Sequence, residues 1–317
     1  MSRYVVTGGA GFIGSHLVDR LASEGHEITV IDDLSTGNRK NLVASKNVHV
    51  VQTKVSTCEN LREVVRGCAG IFHLAAAVGV DLVINSPIET IRTNLNETEV
   101  ILEAAASVSV PVLIASTSEV YGKSQKAEFA ESDDLLIGPP NLGRWSYACS
   151  KLMDEFLALS YFKEQKLPVT VVRIFNTVGP RQTGQYGMVL PRFIAAAKAN
   201  KPLRVFGDGQ QSRCFCYVAD TVEAFLRLHR TTAAHGEVVN IGSTEEISIH
   251  DLAKRVIELT DSKSAVEFVP YDRAYRPGFE DMLRRKPSVE KLARLTGFKP
   301  STSLDQIIVS TAKSATT

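Results

Sequence analysis

The chain has 317 residues, enough for one large α/β unit or two moderate ones with a sizeable core. Its 36 Lys and Arg nearly balance 35 Asp and Glu, so no nucleic-acid or membrane-surface partner is indicated; both need clustered basic residues. No apolar run approaches a membrane span, the chain starts directly on an apolar strand without a signal peptide, and the five cysteines (Cys58, Cys68, Cys149, Cys214, Cys216) form no C-x-x-C pair, so buried thiols in a reducing cytoplasm are expected.

The first apolar run, Tyr4-Val5-Val6, enters Thr7-Gly8-Gly9-Ala10-Gly11-Phe12-Ile13-Gly14, and a helical pattern follows through His16, Leu17 and Leu21. Strand, glycine turn and helix in this order seat a dinucleotide pyrophosphate on a helix N-terminus. Gly8 permits the tight turn, Gly11 lets backbone approach phosphate, and Gly14 lets the helix pack on the strand, with the spacing G-x-x-G-x-x-G. The second apolar run, 28–31, ends in Asp32-Asp33, eighteen residues beyond Gly14. A carboxylate there accepts hydrogen bonds from both adenine-ribose hydroxyls and repels a 2′-phosphate, so NAD is expected rather than NADP.

Further strands are predicted at 48–52, 71–74, 110–115 and 169–174, with helices at 61–66, 88–107 and 146–166 between them. The alternation predicts an α/β fold with a Rossmann-type, doubly wound parallel sheet. Asn94 falls inside the long helix, where a polar side chain has to be exposed or bonded. After Phe175 the regularity breaks: Gly179-Pro180 and 182–187 read as a loop, 191–200 as a helix, and 238–241 as a strand returning to the sheet. The expected division is a dinucleotide-binding domain over 1–175 plus about 237–245, and a smaller, discontinuous substrate-binding domain over about 176–236 plus 246–317. Ligand is expected between them, beyond the C-terminal ends of the strands.

The strand ends carry polar or small residues. The fourth ends in His73-Leu74-Ala75-Ala76, where small side chains let a flat cofactor lie against backbone. The fifth ends in Ser116-Thr117-Ser118-Glu119-Val120-Tyr121-Gly122, three hydroxyls and a carboxylate placed for binding. On the next helix Tyr147 and Lys151, four apart, share a face. An ammonium near a phenol favours the phenolate, giving a base that can take a hydroxyl proton while hydride leaves the same carbon.

At this point the chain resembles the extended short-chain dehydrogenase/reductase family over nearly its whole length. The resemblance rests on T-G-G-A-G-F-I-G from Thr7, Asp32, His73 to Ala76, Asn94, the Thr117 segment, Tyr147 with Lys151, and Arg173-Ile174-Phe175-Asn176. Gly179-Pro180-Arg181 and the stretch from Gly207 through Arg213 to Val218 also match. It implies an enzyme that reworks a nucleotide-linked sugar with a tightly held NAD and no metal. It further implies that Gly8, Gly11, Phe12, Ile13, Gly14, Asp32, Asp33, Leu34, Ser35, Val55, Leu74, Ala75, Ala76, Asn94 and Phe175 hold NAD together with Tyr147 and Lys151. Thr117 and Tyr147 would bond the sugar 4-hydroxyl, and Ser118, Asn176, Val189, Val205, Phe206, Arg213 and Arg276 the rest of a UDP-sugar. One departure is Lys54-Val55, where members carry Asp-Val after the third strand to hold adenine.

Two features bear on the reaction. Glu119 stands where 4-epimerases of the galactose pathway have a small or hydroxyl residue and UDP-glucuronate decarboxylases have glutamate. The segment from Gly278 to Ser288, with Arg284-Arg285-Lys286-Pro287, is similar to the R-K-P segment of those decarboxylases; by itself a basic run there reads as a solvated face. The resemblance implies that Arg285 and Glu119 serve the decarboxylation step and, through UDP-xylose synthase-like relatives, a UDP-glucuronate decarboxylase. Phe279 replaces a tyrosine of one branch, and Ser118 the reactive cysteine of apiose synthases. The run Ala76-Ala77-Val78-Gly79-Val80 lacks the polar or proline-rich loop of the best-studied decarboxylases, which keeps a UDP-hexose or UDP-glucuronate 4-epimerase open. A non-catalytic NAD(H) sensor is a further alternative, although such proteins tend to lose the tyrosine or lysine. Helices 88–107 and 146–166 carry apolar stripes beyond what the sheet needs, and the family's use of that pair as a four-helix bundle implies a homodimer.

Overall fold

Six apolar segments of the first half line up side by side in the computed structural model, which describes residues 1–77, 86–183, 188–271 and 282–314. They are β1 (Arg3–Thr7), β2 (Glu27–Ile31), β3 (Val48–Val51), β4 (Gly70–His73), β5 (Val112–Thr117) and β6 (Val169–Ile174). Between them run α1 (Phe12–Ser23), α2 (Leu61–Val65), α3 (Pro87–Ala106) and α4 (Ser146–Gln165). Next come β7 (Thr177–Val178), α5 (Val189–Lys198), β8 (Leu203–Phe206), β9 (Ser212–Cys214), β10 (Cys216–Tyr217) and α6 (Val218–His229). β11 (Glu237–Ile241) then returns to pair with β6, followed by β12 (Glu246–Ser248), α7 (Ile249–Leu259), β13 (Val266–Val269), α8 (Glu290–Thr296) and α9 (Leu304–Ser314).

The sheet order is β11-β6-β5-β4-β1-β2-β3, with every pairing parallel. The order reverses at β1, so a crevice opens beyond the C-terminal ends of β1 and β4. The strand predicted at 110–115 instead starts after Pro111, which has no N–H for a ladder, and pairs with β6 as far as Thr117 opposite Ile174. Thr117 is therefore the last residue of the strand, at the crevice.

Period-two alternation sends successive β1 side chains to opposite faces. Tyr4 and Val6 join Leu17 and Leu21 of α1, Phe225 and Leu228 of α6 and Leu292 of α8. Val5 joins Ile71, Ile114, Ile101 and Leu102 of α3 and Ala158 of α4. A separate cluster gathers Leu190, Phe193 and Ile194 of α5, Leu203 and Val205 of β8, Leu252 and Val256 of α7, and Ile307 and Ile308 of α9. Two helices of the later chain pack with the sheet cluster. α6 and α8 fall within the spans expected for the smaller part, yet they bury their apolar faces with the sheet, because α6 lies along α1.

Candidate active site

The turn after β1 is shaped by glycine. Gly8 sits at φ +67°, donates its N–H to the Ile31 carbonyl at 2.9 Å and accepts from Gly11 at 3.1 Å. A Cβ on Gly14 would lie 2.2 Å from the Gly8 oxygen, so only glycine lets α1 approach this closely. The first turn of α1 carries no acidic residue, which leaves the positive end of its dipole uncompensated. A cleft of about 1060 Å³ opens here, lined by Gly8, Gly11, Phe12, Ile13, Gly14, Asp32, Asp33, Ser35, Val55, Leu74, Ala75 and Ala76. Backbone amides at a helix start, a carboxylate after the second strand and small residues after the fourth fit NAD.

Asp32 is buried, and its two carboxylate oxygens accept from the Ala10 and Leu34 amides, each at 2.8 Å. Burial raises its carboxyl above the ordinary value, with those two hydrogen bonds opposing. Lys54, in the position where adenine-holding aspartate was expected, lines the cleft with its ammonium 3.3 Å from Glu89. Beneath the floor, His73 joins Thr7 Oγ1 at 2.8 Å and Thr98 Oγ1 at 3.2 Å, and burial drives its pKa down to about 3, so the ring stays neutral. Asn94 is buried inside α3 and bonded: it accepts from the Ala77 amide at 2.8 Å and donates to Ser150 Oγ at 3.0 Å.

At the end of β5 a short 3-10 turn, Ser118–Tyr121, is capped by Thr117 Oγ1, which accepts from the Glu119 amide at 3.2 Å. Val120 and Tyr121 are buried in a local cluster, and the Tyr121 hydroxyl donates to Asn240 of β11 at 2.7 Å. That anchoring leaves Glu119 facing the cleft. Arg144, set in the 3-10 turn before α4 with its guanidinium 5.6 Å from the Trp145 ring, donates to one Glu119 oxygen. Arg285 Nη1 lies 3.8 Å from the other, and its Nη2 donates to Ser118 Oγ at 2.6 Å. Burial would raise the Glu119 carboxyl, but Arg144, Arg285 and Arg213 outweigh it and hold it below the usual carboxylate range.

Tyr147, in the first turn of α4, lines the cleft beside Thr117. Lys151 stands one turn on, on the same face of α4. The ammonium is paired with Asp154 at 2.6 Å, and burial first, then Glu119 and Asp154, push the Tyr147 phenol well above its ordinary value against Arg285 and Thr117. The basic run 284–286 is not one solvated face. Arg284 turns out to Glu246 at 2.7 Å and Lys286 to Glu128 at 3.3 Å, while Arg285 turns in. The alternation is fixed by a bridge between Phe129 and Pro287.

Across the cleft, Asn176 donates to the Cys214 carbonyl at 3.0 Å, and Val189, Phe206 and Arg213 line the wall with it. Arg192 lies flat over Phe206, its guanidinium carbon 4.1 Å from the ring centre. Gln211, nearly buried, donates to the Phe206 carbonyl at 3.0 Å.

Residues 4–242 match the model of the NAD dependent epimerase/dehydratase family. The chain belongs to that family. Among curated relatives of this family member is the UDP-N-acetyl-alpha-D-glucosaminuronate decarboxylase of Bacillus cytotoxicus, 43% identical over 96% of this chain and 94% of the relative. Another is UDP-glucuronic acid decarboxylase 2 of Arabidopsis thaliana, 35% identical over 96% of this chain and 66% of the relative. A solved UDP-N-acetylglucosamine 4-epimerase from Methanobrevibacter ruminantium, in complex with UDP-N-acetylmuramic acid, superposes with a TM-score of 0.90 at 27% identity, covering 99% of this chain and 98% of that one.

In this epimerase/dehydratase-family chain most of the expected site residues meet in one cleft, including Thr117, Glu119, Tyr147, Lys151, Phe175, Arg213 and Arg285. Four of the expected residues are not part of the cleft wall. Val205 is buried in the α5–α7 cluster, because strand alternation points it away when Phe206 faces the cleft. Leu34, Asn94 and Ser118 are absent from the wall; they hold Asp32, the 74–77 turn and Arg285 in place. Arg276, residues 278–281, 184–187 of the expected loop and 78–80 lie outside the described residues. Arg144, Arg192 and Gln211 line the cleft without having been expected there. For Arg144 a signal existed, a cation three residues before the helix-starting tyrosine.

Proposed function

We propose that this protein is an NAD-dependent decarboxylase of a UDP-linked uronate, either UDP-glucuronate or the 2-acetamido form named for the Bacillus cytotoxicus relative. The observation that carries the reading is Glu119 held between Arg144 and Arg285, on the same stretch of cleft as Thr117 and Tyr147. NAD held by the glycine turn and Asp32 would supply the hydride acceptor for C4 of the sugar and, where the pentose is re-reduced, the hydride donor. Tyr147, beside Thr117, takes the 4-hydroxyl proton in its ionised, phenolate form as C4 becomes a carbonyl. The sugar is then a β-keto acid. Its C5–C6 bond breaks, CO2 leaves, and the electron pair stays as an enolate whose charge Arg285 balances. Glu119, kept ionised by its arginines, holds Arg285 in place for the carboxylate and orients the water that protonates C5. Tyr147 returns its proton to O4 if the pentose is re-reduced. An epimerase of neutral UDP-hexoses has no use for a carboxylate clamp.

The test is incubation of the NAD-loaded protein with both uronates and with UDP-glucose, reading products by mass. Loss of CO2 from either uronate is expected. An isomer of unchanged mass from UDP-glucose or from a uronate, with no loss of CO2, would make the protein an epimerase.

The same reading includes a homodimer through α3 and α4. Ile88, Ile91, Met153 and Phe156 on these helices are exposed, with Ile88 at 68% and Phe156 at 61%, an apolar face that a four-helix bundle would cover. Light scattering at micromolar concentration is expected to give twice the chain mass; a monomer would end this part of the reading. Among the described residues no helix is long and apolar enough to cross a membrane. All five cysteines are free thiols, which supports placement in a reducing cytoplasm.

A further inference from the structure

Tyr147, Lys151 and Asp154 recur on α4 at i, i+4 and i+7, so they share one helix face. The Lys151 ammonium lies 2.6 Å from Asp154 Oδ2, with side-chain exposures of 2% and 0%. We infer that Asp154 is a positioning residue for the Tyr147 base: it draws the Lys151 ammonium into the protein interior and so sets how readily the phenol ionises. This rests on the reading of Tyr147 as the base.

The surroundings leave Asp154 the control. On the strand-end side Tyr147 meets Thr117 and Glu119, the latter paired with Arg144, and from the segment before Pro287 it meets Arg285. Below Lys151 lies His73 of β4, a neutral ring bonded to Thr7 and Thr98. From α3, Thr98 reaches Asp154. Glu155, the next carboxylate of α4, is committed to Arg173 at 2.8 Å and to Ser116. Asp154 is thus the carboxylate that holds the Lys151 charge. A paired, inward-held lysine lends a neighbouring phenol less stabilisation than an unpaired one, and the Asp154 charge itself opposes the phenolate; both effects have the same sign. Burial first, with Glu119 and Asp154 behind it, already biases Tyr147 toward its protonated form.

A plain helix staple would affect stability alone, so the test reads Tyr147 itself. Phenolate absorbance is followed against pH in the NAD-loaded enzyme, with the NAD-loaded Tyr147→Phe enzyme subtracted, in wild type and in Asp154→Asn. The midpoint is expected about one pH unit lower in Asp154→Asn, or about tenfold more phenolate on the acid side. An unchanged or higher midpoint overturns the inference. Because Asn leaves a buried ammonium without a counter-charge, Asp154→Ser, small enough to admit a water against Nζ, is the second variant and carries the same expectation. The wild-type titration also decides: a midpoint below the ordinary phenol value of about pH 10 would mean that the surrounding groups do not hold the phenol up, and overturns the inference without any variant. No sugar enters this titration, so failure of the uronates to react would strike the proposed reaction and leave this result standing.

Discussion

Arg285→Ala is expected to stop release of CO2 from a UDP-linked uronate while reduced cofactor still forms when the sugar is added. The two half-reactions use different side chains. Oxidation at C4 needs a proton acceptor on the α4 side of the cleft, where Tyr147 and Thr117 stand. Loss of CO2 needs a cation beside the C6 carboxylate and the growing enolate, and Arg285 is 11% exposed at that wall, steadied by Ser118. Removing a partly buried, charge-assisted contact of this kind costs on the order of 10²–10³ in rate. Glu119→Gln keeps the shape and the arginines but leaves them without their anion, so a smaller loss is expected if Glu119 positions Arg285 and the water. Product masses after a timed incubation, alongside cofactor absorbance, separate the steps. CO2 release at the wild-type rate in Arg285→Ala would remove that arginine from the chemistry and leave it a structural partner of Ser118.

Much of the frame was legible because local signals and the global fold agree. The β1 strand, its glycine turn and α1 follow from a short apolar run, a Gly8 that must take a positive φ and a Gly14 whose Cβ would strike the Gly8 oxygen. The return of β11 to the sheet was readable from its apolar run. What was not legible depends on facing direction and on long-range charge. Val205 and Phe206 are adjacent and both apolar, and only the pairing of β8 with β13 decides which one looks into the cleft. α6 is amphipathic, but nothing in its own sequence says that α1 lies opposite. The Tyr147–Lys151 spacing showed a shared face, yet the ammonium's choice of Asp154 over the phenol needs the burial that the helix acquires only in the packed fold. The run 284–286 reads as uniform charge until the bridge from Phe129 to Pro287 fixes which of its side chains turns inward.

Tyr147→Phe is expected to abolish turnover while leaving affinity for NAD and for UDP close to wild type. The substitution removes one oxygen and keeps the ring, so the start of α4 and its packing beside Trp145 are retained. The groups proposed to hold the two ligands lie elsewhere along the cleft: the glycine turn and Asp32 on one side, and Asn176, Arg192 and Arg213 on the other. What disappears is the acceptor for the 4-hydroxyl proton. Lys151 cannot replace it, because its ammonium is bound to Asp154, and Glu119 is occupied by Arg144 and Arg285. A general base of this kind contributes about 10²–10⁴ in rate, and its loss falls on the first half-reaction. The signature therefore differs from that of Arg285→Ala: no reduced cofactor forms and no product of lower mass appears, whereas calorimetric binding of NAD and UDP is unchanged. Near-wild-type turnover in Tyr147→Phe would mean that another group takes the proton. Weakened NAD binding with normal chemistry would make the tyrosine a cofactor contact only.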